Sequence, residues 1–252
     1  MLRGLYTAWT GMANEQKRLD VISNNMANSN TVGYKDEKVA SQAFDQVLGI
    51  KIRDGSQAYH NECIGSLSLG VKIGETYTDY SQGSVRQTGG TYDLALSGSG
   101  FFTVSVADKA GEVHTRYTRD GRFHLTKDGL LVDADGNAVQ GQNGNITIDP
   151  SSKNVSISAT GQITADGELV DTLNIVDFED YDYLKKYGDT MYEPVDGATT
   201  KDAEGEILQG YTEQSNVNVV REMVDMITIT RAYEASQKVM HSYDSMLDKS
   251  VN

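Results

Sequence analysis

The sequence predicts an α+β protein. Long N- and C-terminal helices pair in a coiled-coil-like manner and bracket, in chain order, a central, mostly antiparallel β domain. Three observations predict this. Hydrophobic periodicity is helical at both ends and strand-like between them. Asp-Gly dipeptides, which suit tight hairpin turns, recur only in the middle. Charge divides the same way. Residues 1–30 carry three basic and two acidic groups and residues 213–252 carry four and six, so the ends sum to −1 and the middle holds −13 of the net −14. Near-neutral helices can pack closely, whereas an acidic middle makes a solvated surface.

The N-terminal helix is expected within residues 1–30. Leu5, Trp9, Met12, Leu19 and Met26 recur in steps of four and three around polar Gln16 and Ser23, which is a heptad stripe. Asn24, Asn25, Asn28, Asn30 and Gly33 then mark its end, because these residues tolerate left-handed caps and bond to nearby backbone. Residues 31–82 show no clear period and are interrupted by Gly49, Gly55, Gly65, Gly70 and Gly74. They are expected to form an extended connector.

Residues 83–212 read as short alternating strands. Phe102, Val104 and Val106 occupy one face, Thr103 and Ser105 the other. Turns are expected at Asp120-Gly121, Asp128-Gly129, Asp135-Gly136 and Asp166-Gly167, which together imply a sandwich or irregular barrel. Residues 213–252 return to a helix that Asn218 caps and Glu222 favours at the positive dipole end. Its stripe begins Val220, Val224, Ile227 and resumes one residue out of phase at Ala232, Ala235, Val239 and Met246. That slip means two different neighbours or a rotating apolar face.

Composition narrows the functions. A net charge of −14 and a pI near 4.6 disfavour a phosphate backbone as partner. No apolar run approaches the roughly 20 residues that span a bilayer, and the first residues lack the apolar core of a cleaved secretory signal. Neither nucleic acid nor membrane insertion is expected. Cys63 with His60 makes half a zinc site at most. His60, His114, His124 and His241 are scattered, so no acid, base or nucleophile set is assembled and no enzyme is expected. Asp133, Asp135 and Asn137 imitate the start of a calcium loop. However, Ala138 and Gly144 stand where glycine and a bidentate Glu are needed. Gly98-Ser99-Gly100 is better explained as a turn than as a phosphate loop. No cofactor is expected.

A narrow apolar stripe must be covered for its helix to persist, since ordering the backbone costs about 1–2 kcal/mol per residue. The two ends can pair with each other, or additionally with the ends of neighbouring subunits. At this point the residues carry a resemblance. Asn24-Asn25-Met26-Ala27-Asn28-Ser29-Asn30-Thr31-Val32-Gly33-Tyr34-Lys35 resembles the N-terminal motif of the flagellar basal-body rod and hook protein family. Asp93 to Phe102 resembles the family's entry into its β domain, and Tyr117-Thr118-Arg119-Asp120-Gly121-Arg122-Phe123 its first hairpin. Glu213 to Asn218, Glu222 to Ile227 and Arg231-Ala232-Tyr233-Glu234-Ala235 resemble its C-terminal helix. Ser236 stands where the family commonly has Asn, and Gly90-Thr91 replaces a commoner Asn-Pro.

The resemblance implies a rod-type subunit, distal rather than proximal, that stacks helically on copies of itself and on other rod and hook subunits. It implies type III export without cleavage, with Phe44 and Leu48 at the spacing of a short export element; the alternative is that these two residues anchor the connector. A wall-embedded rod would also meet peptidoglycan and a bushing ring, although no sugar site is legible. The expected assembly residues are Leu5, Trp9, Met12, Leu19, Asn24, Asn25, Asn28 and Gly33 at one end. At the other they are Ser215, Asn216, Val217, Asn218, Val224, Ile227, Arg231, Tyr233, Glu234 and Val239. Leu5, Met12 and Leu19 are expected to face Val224, Ile227, Ala235 and Val239. Arg231 and Glu234 lie three apart, as an exposed ion pair or an intersubunit bridge. The competing reading is an oligomeric surface adhesin whose helices only assemble it.

Overall fold

The computed structural model describes residues 2–51, 62–107, 111–152 and 154–251. The chain folds as two compact units. Unit 1 comprises residues 1–26, 37–78 and 218–252, and unit 2 comprises residues 27–36 and 79–217.

Unit 1 contains α1 (Leu2–Ala27) and α2 (Val219–Val251). Asn218 caps α2: its Oδ1 accepts from the Arg221 amide at 3.2 Å and its carbonyl from the Glu222 amide at 3.0 Å. The helices run antiparallel, with Gly4 against the Tyr243 ring and Gly11 facing Ser236. A covered row of α2 runs Glu222, Met226, Ile229, Tyr233, Ser236, Met240, Tyr243 and Leu247, alternating steps of four and three, with Val219 and Asp225 partly covered beside it. This corrects the expectation that Val224, Ile227, Ala235 and Val239 face α1. Those four are exposed. The inner row is the more polar one, so hydropathy alone selects the wrong face. Leu5, Met12 and Leu19 are half-buried, whereas Trp9 is exposed and its ring lies 5.9 Å from that of Tyr6.

The expected connector is instead a folded arm. Strands β1 (Glu37–Ala43), β2 (Val47–Lys51), β3 (Glu62–Leu67) and β4 (Val71–Thr78) follow in order, with β1 paired to β4 and β2 to β3, both antiparallel. Most of β1 and β4 is open to solvent, so no face selects apolar residues and alternation is weak. Polar contacts hold the arm to α1. Asn14 Nδ2 donates to Ser41 Oγ at 3.0 Å, and Gly70 packs on Thr10. The Asn25 amide brackets the Glu37 backbone, donating to its carbonyl at 2.8 Å and accepting from its N–H at 3.1 Å.

Unit 2 is the antiparallel β domain. It includes β5 (Val85–Gln87), β6 (Leu94–Ser97), β7 (Phe101–Ala107) and β8 (Val113–Thr118). β7 and β8 are central in a sheet that continues through Met191–Pro194 to Leu184–Tyr187 on one side and through Ala138–Gly141 on the other. Adjacent Phe101 and Phe102 point to opposite faces, as the pleat requires. Phe102 and Val104 enter a core with Leu94, Leu131, Val139 and Ile163. Phe101 enters a second, aromatic core with Phe178, Leu184 and Tyr192. Thr103, on the face opposite Phe102, is therefore buried as well.

The expected Asp-Gly turn is present at Asp166-Gly167, where φ is +50° and +92° and strands Gln162–Ala165 and Glu168–Thr172 meet. Asp120-Gly121 is different. Gly121 has no positive φ. A Cβ there would collide with the Leu94 carbonyl, so the glycine permits a close approach of two backbones. The buried Asp133 carboxylate accepts from the amides of Asp135 and Asn137 at 3.0 and 2.8 Å, which accounts for the acidic cluster as a turn.

Candidate functional site

Two features stand out. The first lies inside unit 2, at the residues where the chain enters and leaves it. Residues 33–36 follow α1, residues 79–83 follow the arm, and residues 213–217 precede α2. Glu213, 1% exposed, sits among all three. Its Oε1 takes the Lys35 ammonium at 2.6 Å and the Gly83 amide at 2.9 Å, its Oε2 takes Arg119 at 3.3 Å, and its backbone carbonyl accepts from Gly33 at 2.9 Å. Lys35, also 1% exposed, donates in addition to the Ser81 carbonyl at 2.8 Å. Burial pushes the Lys35 ammonium below the ordinary lysine value, and Glu213 opposes that shift.

Asn216 ties the same segments together. Its Oδ1 accepts from the Asp36 amide at 2.8 Å, while its Nδ2 donates to the carbonyls of Asp79 at 2.8 Å and Ser81 at 3.1 Å. Asp79 donates its own amide to the Asp36 carbonyl at 2.8 Å. Gly33 has φ +72°, and a Cβ there would strike the Asp120 backbone, so only glycine fits. An Asn carries both donors and acceptor and can bridge strands that share no ladder. The result is a clamp of polar groups, most of them buried, in which only Arg119 Nε among the buried side-chain nitrogens and oxygens lacks a partner.

The second feature is the outer face of α2. Val220, Met223, Val224 and Ile227 occupy positions i, i+3, i+4 and i+7 and are uncovered, from 73% exposed at Val220 to 50% at Met223. Val239 and Met246 continue the exposed apolar side further along. Arg231 and Glu234 are both exposed, and among the described residues no ion pair joins them.

The sequence-derived assembly residues thus divide. Val224, Ile227, Arg231, Glu234 and Val239 lie outward on α2, and Tyr233 lies on its inner row. Asn25, Gly33 and Asn216 bond within the chain, and Asn28 Oδ1 accepts from Thr31 Oγ1 at 3.0 Å. Ser215 Oγ accepts from the Val217 amide at 3.3 Å in a local turn, and Asn218 is the helix cap. Asn24 is exposed beside the arm. Phe44 is half-buried and Leu48 lies opposite Ser66 in β2. His60 lies outside the described residues. Among those described, no group of three or more His, Cys, Asp or Glu could hold a metal.

Sequence reasoning did not single out Lys35, Arg119 or Glu213. Charged residues are rarely buried unless paired, and Lys35 and Glu213 are 178 residues apart. The signal was their place inside three of the quoted motif blocks.

Comparison with known proteins matches the same blocks. The family described as "Flagella basal body rod protein" matches residues 5–35. "Flagellar hook protein FlgE/F/G D1 domain" matches 95–165, and "Flagellar basal body rod FlgEFG protein C-terminal" matches 208–252. The chain is 34% identical over 276 residues to the flagellar basal-body rod protein FlgG of Bacillus subtilis strain 168, covering 100% of this chain and 99% of that protein. It is 36% identical over 263 residues to FlgG of Caulobacter vibrioides, covering 98% and 97%. Against FlgF of that organism it is 34% identical over 242 residues, covering 95% and 93%.

Proposed function

We propose that this chain, which belongs to the flagellar basal-body rod protein family and is a structural component of the flagellar basal body, polymerises helically into the drive shaft that carries torque from motor to hook, in the distal part of the rod. The observation that carries the proposal is the uncovered apolar row Val220, Met223, Val224 and Ile227 on α2. A helix that turns its polar row inward and its apolar row to solvent is incomplete until another surface covers it. Copies of the chain and other rod and hook subunits are the proposed covering surfaces. Load passing along the chain between helix and β domain goes through the clamp at Lys35, Glu213 and Asn216. There three chain segments are held together, so none is peeled away alone. Catalysis is no part of this reading, and the adhesin alternative has no observation in its favour.

The test is Val224→Asp. An exposed side chain makes few contacts in the monomer, so thermal stability should change by no more than about 0.5 kcal/mol. Swimming should be lost and the variant should be missing from purified basal bodies. Normal motility with normal rod content would overturn the proposal.

The rod setting also calls for export through the flagellar type III apparatus without cleavage, with Phe44 and Leu48 as the export element and peptidoglycan and bushing rings as neighbours. Replacing both residues by Ala should abolish secretion of the intact protein. Secretion at the parental level would remove that assignment.

A further inference from the structure

The last residues of unit 2 are bonded to segments from all along it. Residues 206–217 carry the strands Glu206–Gln209 and Tyr211–Glu213. The first pairs with β6 and the second with β5, both antiparallel. Among the described residues neither β5 nor β6 has another ladder partner. Buried Ile207 completes the core that holds Leu94, Leu96, Phe102 and Val104. The Gln209 side chain donates to the carbonyls of Thr91 at 2.9 Å and Val155 at 3.2 Å, and accepts from the Ile157 amide at 3.1 Å. The Ile207 amide donates to the Ala159 carbonyl at 3.0 Å, and the Gly210 carbonyl accepts from the Thr88 and Gly89 amides at 2.8 and 3.0 Å. Glu213 and Asn216 add residues 33–36 and 79–83, as described above.

The rest of the sheet is more local. β7 pairs with β8, and the strands Val155–Ile157, Gln162–Ala165 and Glu168–Thr172 pair in succession. The bonds of residues 206–217 reach much further, 118 residues from Gln209 to Thr91 and 178 from Glu213 to Lys35. Closing such loops costs entropy before any contact rewards it. Until they close, β5 and β6 are strands without a partner, Leu94 and Leu96 belong to a core that lacks one wall, and the backbone groups of both strands have water as their only alternative.

We propose that residues 206–217 are a closing strap without which unit 2 has no folded state, so that a chain emerging N-terminus first keeps unit 2 open until residue 217 is free. The strap ends where α2 begins, at the Asn218 cap. The β domain is therefore completed by the same stretch of chain that starts the C-terminal helix. The proposal stands on the topology of unit 2 and not on the rod reading.

The test is kinetic and uses the full chain. Ser97 and Glu206 are exposed and directly opposite each other in the β6 pairing. In a Cys63→Ser background, Ser97→Cys with Glu206→Cys places a disulfide there that closes the loop of residues 97–206 in advance. Refolding from urea is followed by pulsed hydrogen exchange at the amides of β7 and β8, which pair with each other and not with the strap. In the oxidised chain these amides should become protected on the order of tenfold sooner than in the same chain reduced, because the closure entropy no longer opposes folding. Gln209→Ala should slow their protection several-fold and leave the unfolding rate nearly unchanged. Equal protection rates in the oxidised and reduced chains would overturn the proposal, since unit 2 would then close before the strap joins. So would a Gln209→Ala chain that refolds at the parental rate and only unfolds faster. Failure of the two cysteines to oxidise in the folded chain would remove the β6 pairing on which the strap depends.

Discussion

Replacing Glu213 by Gln tests the clamp most directly, because it keeps the shape and removes only the charge. In the native chain one carboxylate, 1% exposed, is shared between Lys35 at 2.6 Å and Arg119 at 3.3 Å. The neutral amide would leave two buried cations without a counter-charge. Removing one partner of a buried pair costs about 3–5 kcal/mol. Lys35→Met should cost less, about 1–3 kcal/mol, since Glu213 keeps Arg119 and the Gly83 amide, and the Ser81 carbonyl keeps Asn216. The assay is urea unfolding of the purified full chain, where a loss of about 4 kcal/mol lowers the midpoint by roughly 1–2 M.

A pH series adds a signature. Burial already holds the Lys35 pKa below 10.5, and Glu213 is the largest influence raising it, so the variant's value falls further. Between that folded value and 10.5 the unfolded chain binds more protons, so stability rises with pH, and more steeply for the variant. The deficit of Glu213→Gln should therefore narrow from neutral pH to about pH 10. A loss below about 1 kcal/mol, or a Lys35→Met variant less stable than Glu213→Gln, would refute the account of the clamp as a shared buried carboxylate.

Two further outcomes follow from single contacts. Asn25→Ala removes both bonds to the Glu37 backbone and should cost about 1–3 kcal/mol, with faster hydrogen exchange at the Glu37 amide and no change in β7 or β8. Unchanged exchange at Glu37 would contradict the bracketing role. Burial and then the Asp177 carboxylate, which accepts from the Tyr181 hydroxyl at 2.8 Å, push the Tyr181 pKa up from 10.0 to about 12. In that window the folded chain holds the proton and the unfolded chain does not, so stability falls as pH rises. Tyr181→Phe should make that alkaline fall shallower; an identical pH profile would show that Tyr181 contributes nothing to it.

Local signals were legible from residue order alone: the helical period at both ends, the Asn218 cap, the alternation of Phe102 and Val104, and the Asp166-Gly167 turn. Each depends on neighbours within a few residues, where period and turn chemistry act. The family motifs were legible too, as blocks. What those blocks do was not, since Lys35, Arg119, Glu213 and Asn216 become a clamp only when distant segments meet. The arm was hidden because strands with both faces in water need no alternation.

The sequence by itself determined that two helices flank an acidic antiparallel domain, because period and charge are written along the chain. Only the tertiary structure decided which side of α2 faces inward. Two rows on that helix carry apolar residues. The choice between them was made by what α1 presents, Gly4 and Gly11 opposite Tyr243 and Ser236, leaving Val220, Val224 and Ile227 uncovered.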